Sequence, residues 1–414
     1  MMAGMNPSSA SDVRMRGFSH RHSVAEALAW LDGQLQALPP ERVPLLSAAG
    51  RVLAAEVRST VNVPRFARSM MDGFALVARD TAGASASQRK LLEIIGESLP
   101  GRGFAGQCQP GQAVRIMTGA PLPVGADAVL PIEKTNVEGT RLWACEEIPP
   151  QKHVGRVGED IAEGALVLPA GRRLRPQDLG VLSSIGVGEV AVVRSPRVRI
   201  VVTGNELLPA GSMPHDYCIA DANGPLLAAL AERDGGVAIQ QGIVPDNREA
   251  IAAALHEDAD VVLVSGGSSV GQEDHAPTLL ARDGLLAIHG IAMRPSSPTG
   301  LGKLGSRLVF LLPGNPVACL CAYDFFAGRA IRALGGCDRE WPYTRVRLPL
   351  TQPLVSQVGR LDYARVMIHE QRVEPLAIAG GSSLSSTTRA DGFVVIPAES
   401  EGYAAGTDVD VWLY

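Results

Sequence analysis

The chain has 414 residues, of which 46% are hydrophobic and 20% charged, and this length and balance predict a globular protein with several domains. Its formal net charge of −5 argues against a nucleic-acid partner, because nucleic-acid-binding proteins usually carry a basic surface. The N-terminus lacks the apolar segment of a signal peptide, and no run approaches the ~18 apolar residues of a membrane span. We therefore expect a cytoplasmic protein without a membrane partner, and the six cysteines, none in a C-x-x-C pair, predict no zinc site or disulfide framework.

The first half of the chain predicts a mixed helical domain that is interrupted by a β-domain. Ser23 and Glu26 have the spacing of a capping box and predict an amphipathic helix, and a second short helix is predicted from Ser47 to Leu53. Between residues 57 and 160, short β-rich segments alternate with Gly and Pro turns. A further helix is predicted after Pro176. The predicted domains are 18–56 with 161–195, mixed helical, and 57–160, the inserted β-domain.

The second half of the chain predicts an α/β domain followed by a β-domain. The segments RVRIVVT, VAIQQGIV, VVLVSGG and RLVFLLPG alternate with helical patterns, as in a doubly wound, mostly parallel sheet. One long helical pattern, PVACLCAYDFFAGRAIRALGG, follows the last of these strands. We assign 196–337 to this domain and 338–414 to a small β-barrel or sandwich. The fold class is therefore multidomain α/β.

Loops at the carboxyl ends of these strands are the first candidates for a site. The segment Ser265–Asp274 reads S-G-G-S-S-V-G-Q-E-D, and glycines allow the positive φ at which successive N–H groups surround an anion. Glu273 or Asp274 could hold a hard cation beside that anion. The plainer alternative is a tight strand-to-helix turn with a surface acid. Thr203–Glu206 and Pro313–Pro316 fall at the same predicted edge, which favours a binding site.

A proline at the start of a helix and three polar segments in the first half carry weaker signals. Pro316 near the first helical position leaves the N–H groups of that turn available to an anion, although a rigid turn is the commoner case. An aspartate before a glycine, as at Asp72, usually marks a hairpin turn. A threonine such as Thr118 usually hydrogen-bonds to the backbone of its own turn. The simplest interpretation of Glu159 and Asp160, which follow Gly158, is that they are charged residues of a solvent-exposed loop.

Together the motifs closely resemble the MoeA family, the molybdopterin molybdenumtransferases, which include the E domain of gephyrin. The matching segments run in the family's order from residue 69 to 317: S-M-M-D-G-F-A, R-I-M-T-G-A-P-L-P-x-G-A-D-A-V, G-E-D, T-G-N-E-L, S-G-G-S-S-V-G-Q-E-D and L-P-G-N-P-V. Six motifs in order are highly specific, and the domain pattern matches nearly the whole chain.

The resemblance implies an enzyme that inserts molybdenum, supplied as molybdate, into adenylylated molybdopterin with release of AMP and help from Mg²⁺. It implies a homodimer in which the α/β domain of one subunit and the β-domain of its partner form the cleft. A molybdopterin adenylyltransferase would act upstream, and molybdoenzymes would be the clients. Since the pterin brings dithiolene sulfurs for the molybdenum, the protein need not supply cysteine ligands.

The resemblance also implies roles for individual residues. The implied catalytic residues are Asp72, Thr118, Asp160, Glu206, Asp274 and Arg294. The residues implied to bind the pterin adenylate are Asp246, Ser265, Gly266, Gly267, Ser268, Pro313, Gly314, Asn315, Pro316 and Ser385, with Ser386 as the alternative to Ser385. The implied Mg²⁺ ligands are Glu206, Asp246 and Asp274.

This chain departs from the family pattern at several positions. Asn205 stands where the family typically has an aspartate. Gly290 and Ser296-Ser297 stand where the family has basic residues and Gly-Lys, while Arg294 keeps one cation in a planar form that suits oxyanions. Arg68, Lys303 and Arg307 are the candidates for the missing positive charge.

The substituted lysines motivate one alternative, a non-catalytic protein that binds or delivers molybdopterin or acts as a scaffold. A second alternative, an unrelated α/β nucleotide-binding enzyme, lacks support because neither G-x-G-x-x-G nor G-x-x-x-x-G-K-[ST] occurs.

Overall fold

The protein was analysed as a computed structural model that describes residues 20–267, 275–377 and 380–414. Contacts divide the chain into two compact units. The first unit contains residues up to Glu41, Gly50–Val52 and Val192–Tyr414, and the second contains Arg42–Ala49 and Leu53–Ala191. Among the described residues, no helix has both the length and the apolar character needed to cross a membrane.

The helices are short and lie mainly in the first unit. In chain order they are α1 (Val24–Asp32), α2 (Pro176–Ser184), α3 (Asn223–Arg233), α4 (Arg248–His256), α5 (Ala276–Asp283), α6 (Pro316–Ala322), α7 (Gly328–Leu334) and α8 (Ser385–Arg389). Single 3₁₀ turns span Leu45–Ser47, Ala78–Thr81 and Ile132–Lys134, and a π-helical segment, Tyr323–Ala327, joins α6 to α7.

The strands up to residue 193 are β1 (Pro40–Pro44), β2 (Val57–Arg58), β3 (Arg68–Ser69), β4 (Gly73–Leu76), β5 (Lys90–Ser98), β6 (Gln112–Ile116), β7 (Ala128–Pro131), β8 (Thr135–Glu138), β9 (Arg141–Ala144), β10 (Val154–Gly155), β11 (Leu166–Leu168) and β12 (Glu189–Val193). The later strands are β13 (Arg197–Thr203), β14 (Leu207–Leu208), β15 (Ile219–Ala220), β16 (Val237–Val244), β17 (Val261–Ser265), β18 (Leu285–His289), β19 (Met293–Arg294), β20 (Gly300–Leu304), β21 (Arg307–Leu312), β22 (Thr344–Pro349), β23 (Leu354–Val355), β24 (Leu361–His369), β25 (Arg372–Ala377), β26 (Gly392–Ile396), β27 (Gly402–Tyr403) and β28 (Asp408–Leu413).

The main sheet of the first unit has helices on both faces. Its strand order is β16-β13-β17-β21-β20-β18, with parallel pairing from β16 to β21 and antiparallel pairing beyond. Alternate side chains of β17 enter two different cores, because successive side chains of a strand point to opposite faces. Val261 and Leu263 pack with residues of α3 and α7, whereas Val262 and Val264 pack with residues of α4 and α5. This arrangement confirms the predicted doubly wound α/β sheet and explains its unbroken apolar strand.

The end of the first unit forms a separate β-sheet. Its order is β19-β24-β26-β28-β22, with β25 paired to β24. The pair of β19 and β24 is parallel, and the other pairs are antiparallel. Ala364, Val366, Val394 and Val411 are buried in its core. This sheet confirms the β-domain that the sequence predicted at the end of the chain.

The second unit contains a mostly antiparallel sheet in the order β7-β4-β6-β5-β9-β8. Phe74 and Leu76 of β4 pack with Leu92, Leu130 and Leu142 in its core. The sequence predicted short strands separated by turns here, and the structure shows that the sheet ends in the hairpin of β8 and β9.

The local helix predictions had mixed outcomes. The capping box is confirmed, because Ser23 Oγ accepts from Glu26 N and the Glu26 carboxylate accepts from Ser23 N. The helix after Pro176 is also confirmed as α2. The predicted helix from Ser47 to Leu53 is wrong: a 3₁₀ turn ends at Ser47, and Gly50 at a φ of +77° turns the chain out of helical geometry.

Candidate functional site

A pocket of about 620 Å³ lies at the carboxyl edge of the main sheet. Its walls come from the loops that follow β13, β17 and β21, three neighbouring strands with parallel pairing. Carboxyl ends of parallel strands meet at one edge, and open α/β sheets bind their ligands there. The three loops that the sequence placed at this edge are therefore neighbours in the structure.

The glycine loop after β17 approaches the neighbouring strand so closely that only glycine fits. Gly266 has a φ of +94°, and a Cβ at this position would lie 2.2 Å from the carbonyl oxygen of Thr203. Gly267 also has a positive φ, +57°. The half-buried backbone of Gly266 and Gly267 therefore lines the pocket without side chains, which suits close approach of an anionic ligand.

Asn223 connects two of the loops from below the pocket. It is 6% exposed, and its Nδ2 donates to Ser265 Oγ at 2.8 Å and to the carbonyl oxygen of Gly314 at 2.7 Å. Its Oδ1 is buried and has no hydrogen-bond partner in the described part of the chain. Asn223 thus fixes the spacing of the glycine loop and the Pro313–Pro316 loop.

Three carboxylates line the pocket: Glu206, Asp221 and Asp246. Asp246 accepts hydrogen bonds from Thr203 Oγ1 and from Asn205 N, the latter at 3.0 Å, while Asp246 N donates to Asn205 Oδ1 at 3.3 Å. These bonds fix Asp246 against the end of β13. The Asn205 side chain accepts its bond without placing a second negative charge beside Asp246.

The carboxylates are spread around the pocket wall. Among the residues that the structure describes, no group of three or more His, Cys, Asp or Glu is close enough to hold a metal ion. Cys319 lies beneath the pocket with its Sγ 4.0 Å from Ser265 Oγ, and burial raises its pKa to about 12. Cys319 is therefore a protonated thiol at neutral pH.

The first turn of α6 is not the free anion site that the sequence predicted. The N–H groups of Val317 and Ala318 both donate to the carbonyl oxygen of Gly381, at 2.9 and 3.3 Å. Pro316 is the first residue of α6, as predicted, and it lines the pocket with Pro313. This prediction was wrong because a residue more than sixty positions away occupies the donors.

Most of the predicted binding residues come together at this pocket. The lining includes Glu206, Asp246, Ser265, Gly266, Gly267, Pro313, Gly314, Asn315 and Pro316. Ser268 and Asp274 lie outside the described residues. Ser385, in α8, does not line the pocket, whereas Ser382 of the preceding turn does. Arg294 lines a different cavity and forms an ion pair with Asp362.

The remaining predicted residues are exposed in the second unit. Thr118 donates to Asp72 Oδ1 through its N–H at 2.7 Å and its Oγ1 at 2.9 Å, and these bonds lower the pKa of Asp72 below its ordinary value. Asp160 is exposed, and its N–H donates to the carbonyl oxygen of Val63. Asp72 and Thr118, 46 residues apart in sequence, therefore form one polar pair, with Asp72 held as a carboxylate.

Comparison with known proteins identifies the family. Residues 22–186 match the family described as "MoeA N-terminal region (domain I and II)", residues 199–333 match "Probable molybdopterin binding domain", and residues 347–414 match "MoeA C-terminal region (domain IV)". A relative from Mycobacterium tuberculosis, "Molybdopterin molybdenumtransferase 2", is 32% identical over 405 residues, which cover 95% of this chain and 98% of the relative. The chain belongs to the MoeA family of molybdopterin molybdenumtransferases.

Other MoeA proteins agree with this assignment. A Haemophilus influenzae relative, "Molybdopterin molybdenumtransferase", is 33% identical over 381 residues, 90% of this chain and 93% of that protein. The crystal structure of a molybdopterin biosynthesis MoeA protein from Pyrococcus horikoshii superposes with a TM-score of 0.81 at 31% identity, covering 95% of this chain and 99% of the other. The chain thus has the MoeA fold over nearly its whole length and a role in molybdenum cofactor biosynthesis.

Asp221 and Asn223 line the pocket and were missed by the sequence reasoning. Asp221 accepts from Gly224 N at 2.9 Å, and a Cβ on Gly224 would lie 2.2 Å from Asp221 Oδ2. With Asn223 they form the short D-A-N-G segment at the junction of β15 and α3. A polar segment at the start of a helix, ending in glycine, was the available signal, but it resembles any helix start.

Proposed function

We propose that the protein inserts molybdenum from molybdate into adenylylated molybdopterin, with release of AMP and dependence on Mg²⁺. The observation that carries the proposal is the pocket at the carboxyl edge of the main sheet. It combines a side-chain-free glycine loop with three carboxylates and two prolines in one cavity of about 620 Å³. That volume is in the range typical of pockets for ligands of this size.

The pocket's chemistry suits a phosphate-bearing ligand with ring systems. The backbone of Gly266 and Gly267 offers a surface for phosphate oxygens, and Asn223 Oδ1 is an acceptor for a ring N–H or a ribose hydroxyl. Pro313 and Pro316 bound the cavity with rigid apolar rings. In this proposal Ser265, Gly314 and Asn315 complete the binding surface, and Ser268 joins them.

The donor set also fits Mg²⁺, which prefers carboxylate oxygens and keeps several waters. Glu206 and Asp246 would hold the ion, together with Asp274. The carboxylate of Glu206 has no hydrogen-bond or ion-pair partner elsewhere in the described ranges, so it is available to a ligand. When bound, the ion would neutralise charge on the phosphates; the chain's own residues orient the substrate and exclude water from it.

The proposal includes Asp72, Thr118 and Asp160 as groups that act from the β-domain of the partner subunit in a homodimer. Support comes from their exposure and from the Thr118 hydrogen bonds that hold Asp72 ionised. A molybdopterin adenylyltransferase would supply the substrate, and molybdoenzymes would receive the product. Light scattering of the purified protein tests the dimer directly.

The experiment that tests the activity is a turnover assay. Purified protein is given adenylylated molybdopterin, and AMP release is followed by chromatography with molybdate and Mg²⁺ together, with each alone, and with neither. The proposal predicts release of AMP that requires both, and transfer of molybdenum to a pterin that reactivates an apo-molybdoenzyme. Tight binding of the adenylylated pterin without AMP release would instead support the non-catalytic binding or delivery protein.

A further inference from the structure

One wall of the pocket at the carboxyl edge of the main sheet comes from β14 and β15. These two short strands pair in parallel, with Leu207 opposite Ile219. Leu207, Ile219 and Ala220 line the pocket. Ile219 N donates to the carbonyl oxygen of Glu206 at 2.9 Å, so the start of β15 is fixed beside a carboxylate residue of the pocket.

The loop that joins these strands, residues 209–218, is mostly exposed. Met213 and Tyr217 are 84% and 96% exposed, and Ile219, directly after the loop, is 54% exposed. Within the described ranges, every hydrogen bond of residues 209–218 is made inside the loop itself. The loop is therefore attached to the rest of the unit through its two ends, which is typical of segments that can move as a whole.

Tyr217 lies at the tip of a tight turn in this loop. Cys218 N donates to the carbonyl oxygen of His215 at 2.8 Å, so Asp216 and Tyr217 are the central residues of the turn. Asp216 has a φ of +48°, a conformation that aspartate tolerates better than most side chains. The turn thus presents the Tyr217 ring to solvent.

The direction of the strands places this ring at the rim of the pocket. Because β15 runs parallel to β14, its first residue lies at the Glu206 end of the pair, and Glu206 lines the pocket. Tyr217 precedes Ile219 by two residues, and two residues span at most about 7 Å. Single exposed apolar residues are ordinary, but Met213, Tyr217 and Ile219 together form an apolar rim beside a pocket, as at many ligand-binding grooves.

The pocket itself lacks a stacking partner for a ring. Among the described residues that line it, none is aromatic. The ligand proposed above carries an adenine ring and a pterin ring, and flat heterocycles of this kind stack favourably on aromatic side chains. Tyr217 is an aromatic side chain at the rim, and it has no hydrogen-bond partner among the described residues to hold it in solvent.

We propose that residues 209–218 close over the pocket and that the Tyr217 ring stacks on a heteroaromatic ring of the bound ligand. The choice of an adenylylated pterin as that ligand rests on the function proposed above. Tyr217 is a positioning residue in this inference: it covers the ring and excludes water from the pocket.

The first test measures binding of two probes, AMP for the adenine ring and 6-hydroxymethylpterin for the pterin ring, by isothermal titration of the full-length protein. We expect Tyr217→Ala to weaken binding of at least one probe by about 5- to 100-fold, the range typical of base–aromatic stacking. Tyr217→Phe should retain the affinity, because the ring makes the contact. Tyr217 is nearly fully exposed, so its truncation removes no buried contact. Leu46→Ala is the matched control, since Leu46 is 93% exposed in the second unit.

The second test measures closure of the loop. Chymotrypsin cleaves after aromatic residues, and exposed loops are its preferred sites. We expect the bound probe to slow cleavage after Tyr217, measured by mass spectrometry, and to leave unchanged the cleavage after Phe66, which is 45% exposed in the second unit.

The outcomes separate this inference from the proposed function. A loss confined to AMP identifies the adenine ring, and a loss confined to the pterin identifies the pterin ring; both support the inference. Absence of binding, affinities unchanged in Tyr217→Ala, equal losses in Tyr217→Phe or Leu46→Ala, or cleavage after Tyr217 that the probe does not slow would overturn it. So would dissociation of an oligomer in Tyr217→Ala, seen by light scattering, because it would assign Tyr217 to a contact with a second copy of the chain. Failure of AMP release from the adenylylated pterin, with probe binding that depends on Tyr217, would count against the proposed function alone.

Discussion

Substitution of Gly266 by alanine should destabilise the protein in two ways: through the backbone conformation of Gly266 and through its close approach to Thr203. Gly266 has a φ of +94°, and alanine in such a conformation costs about 1–2 kcal/mol. The new Cβ would also lie 2.2 Å from the carbonyl oxygen of Thr203, whereas ordinary contacts are about 3.5 Å, so the strand ends must move apart. Overpacking of this kind costs about 1–3 kcal/mol more. We therefore expect Gly266→Ala to lose about 2–5 kcal/mol of stability in total.

Gly235→Ala is the control for the first of these two contributions. Gly235 follows α3 at a φ of +87°, but a Cβ there would meet no described atom within 4 Å. Urea unfolding followed by circular dichroism should therefore show a loss of only about 1–2 kcal/mol for Gly235→Ala. The AMP-release rate should fall in Gly266→Ala alone. Equal stability losses and equal turnover in the two variants would refute the close-approach argument.

Three further substitutions test other parts of the account. In Asn223→Asp, a carboxylate oxygen takes the place of the Nδ2 donor that joins two pocket loops, and urea unfolding should show a stability loss of about 1–3 kcal/mol. Unchanged stability would show that these two hydrogen bonds contribute nothing. Asp246→Asn should lower AMP release by about 10–100-fold with an unchanged circular dichroism spectrum, and full activity would remove Asp246 from the site. The hydrogen bonds from Arg175 and from the guanidinium of Arg172 hold the pKa of Asp178 well below its usual range, so its stabilisation is present above about pH 4 and is lost on further acidification. The stability difference between the wild type and Asp178→Asn should therefore shrink between pH 7 and pH 3 in urea titrations, and a constant difference would contradict the assignment.

Local patterns predicted the main sheet and its functional edge. The apolar run Val261–Val264, mostly β-branched, is buried on both faces, and such runs are typical of central parallel strands. The glycines after it and the prolines after β21 are positioned by steric rules that act within a few residues. The amino-acid sequence alone therefore predicts these parts of the site.

Long-range contacts account for what the sequence did not predict. The carbonyl oxygen of Gly381 occupies the first turn of α6, and Asn223 joins two loops through its amide. Arg21 and Arg360 line the same cavity as Arg294, and they come together there only after the chain has folded. The helix predicted after β21 is interrupted by a π-helical segment where Gly328 lies against Asp234; a Cβ there would be 2.6 Å from Asp234 Oδ2. None of these contacts has a local signature.

The most direct test of the account is a crystal structure of the protein with adenylylated molybdopterin. The account predicts that the pterin adenylate occupies the pocket at the carboxyl ends of β13, β17 and β21, with its phosphates against Gly266 and Gly267 and a hydrogen bond to Asn223. A ligand found instead in the cavity of Arg294 and Arg360, or away from both, would contradict it.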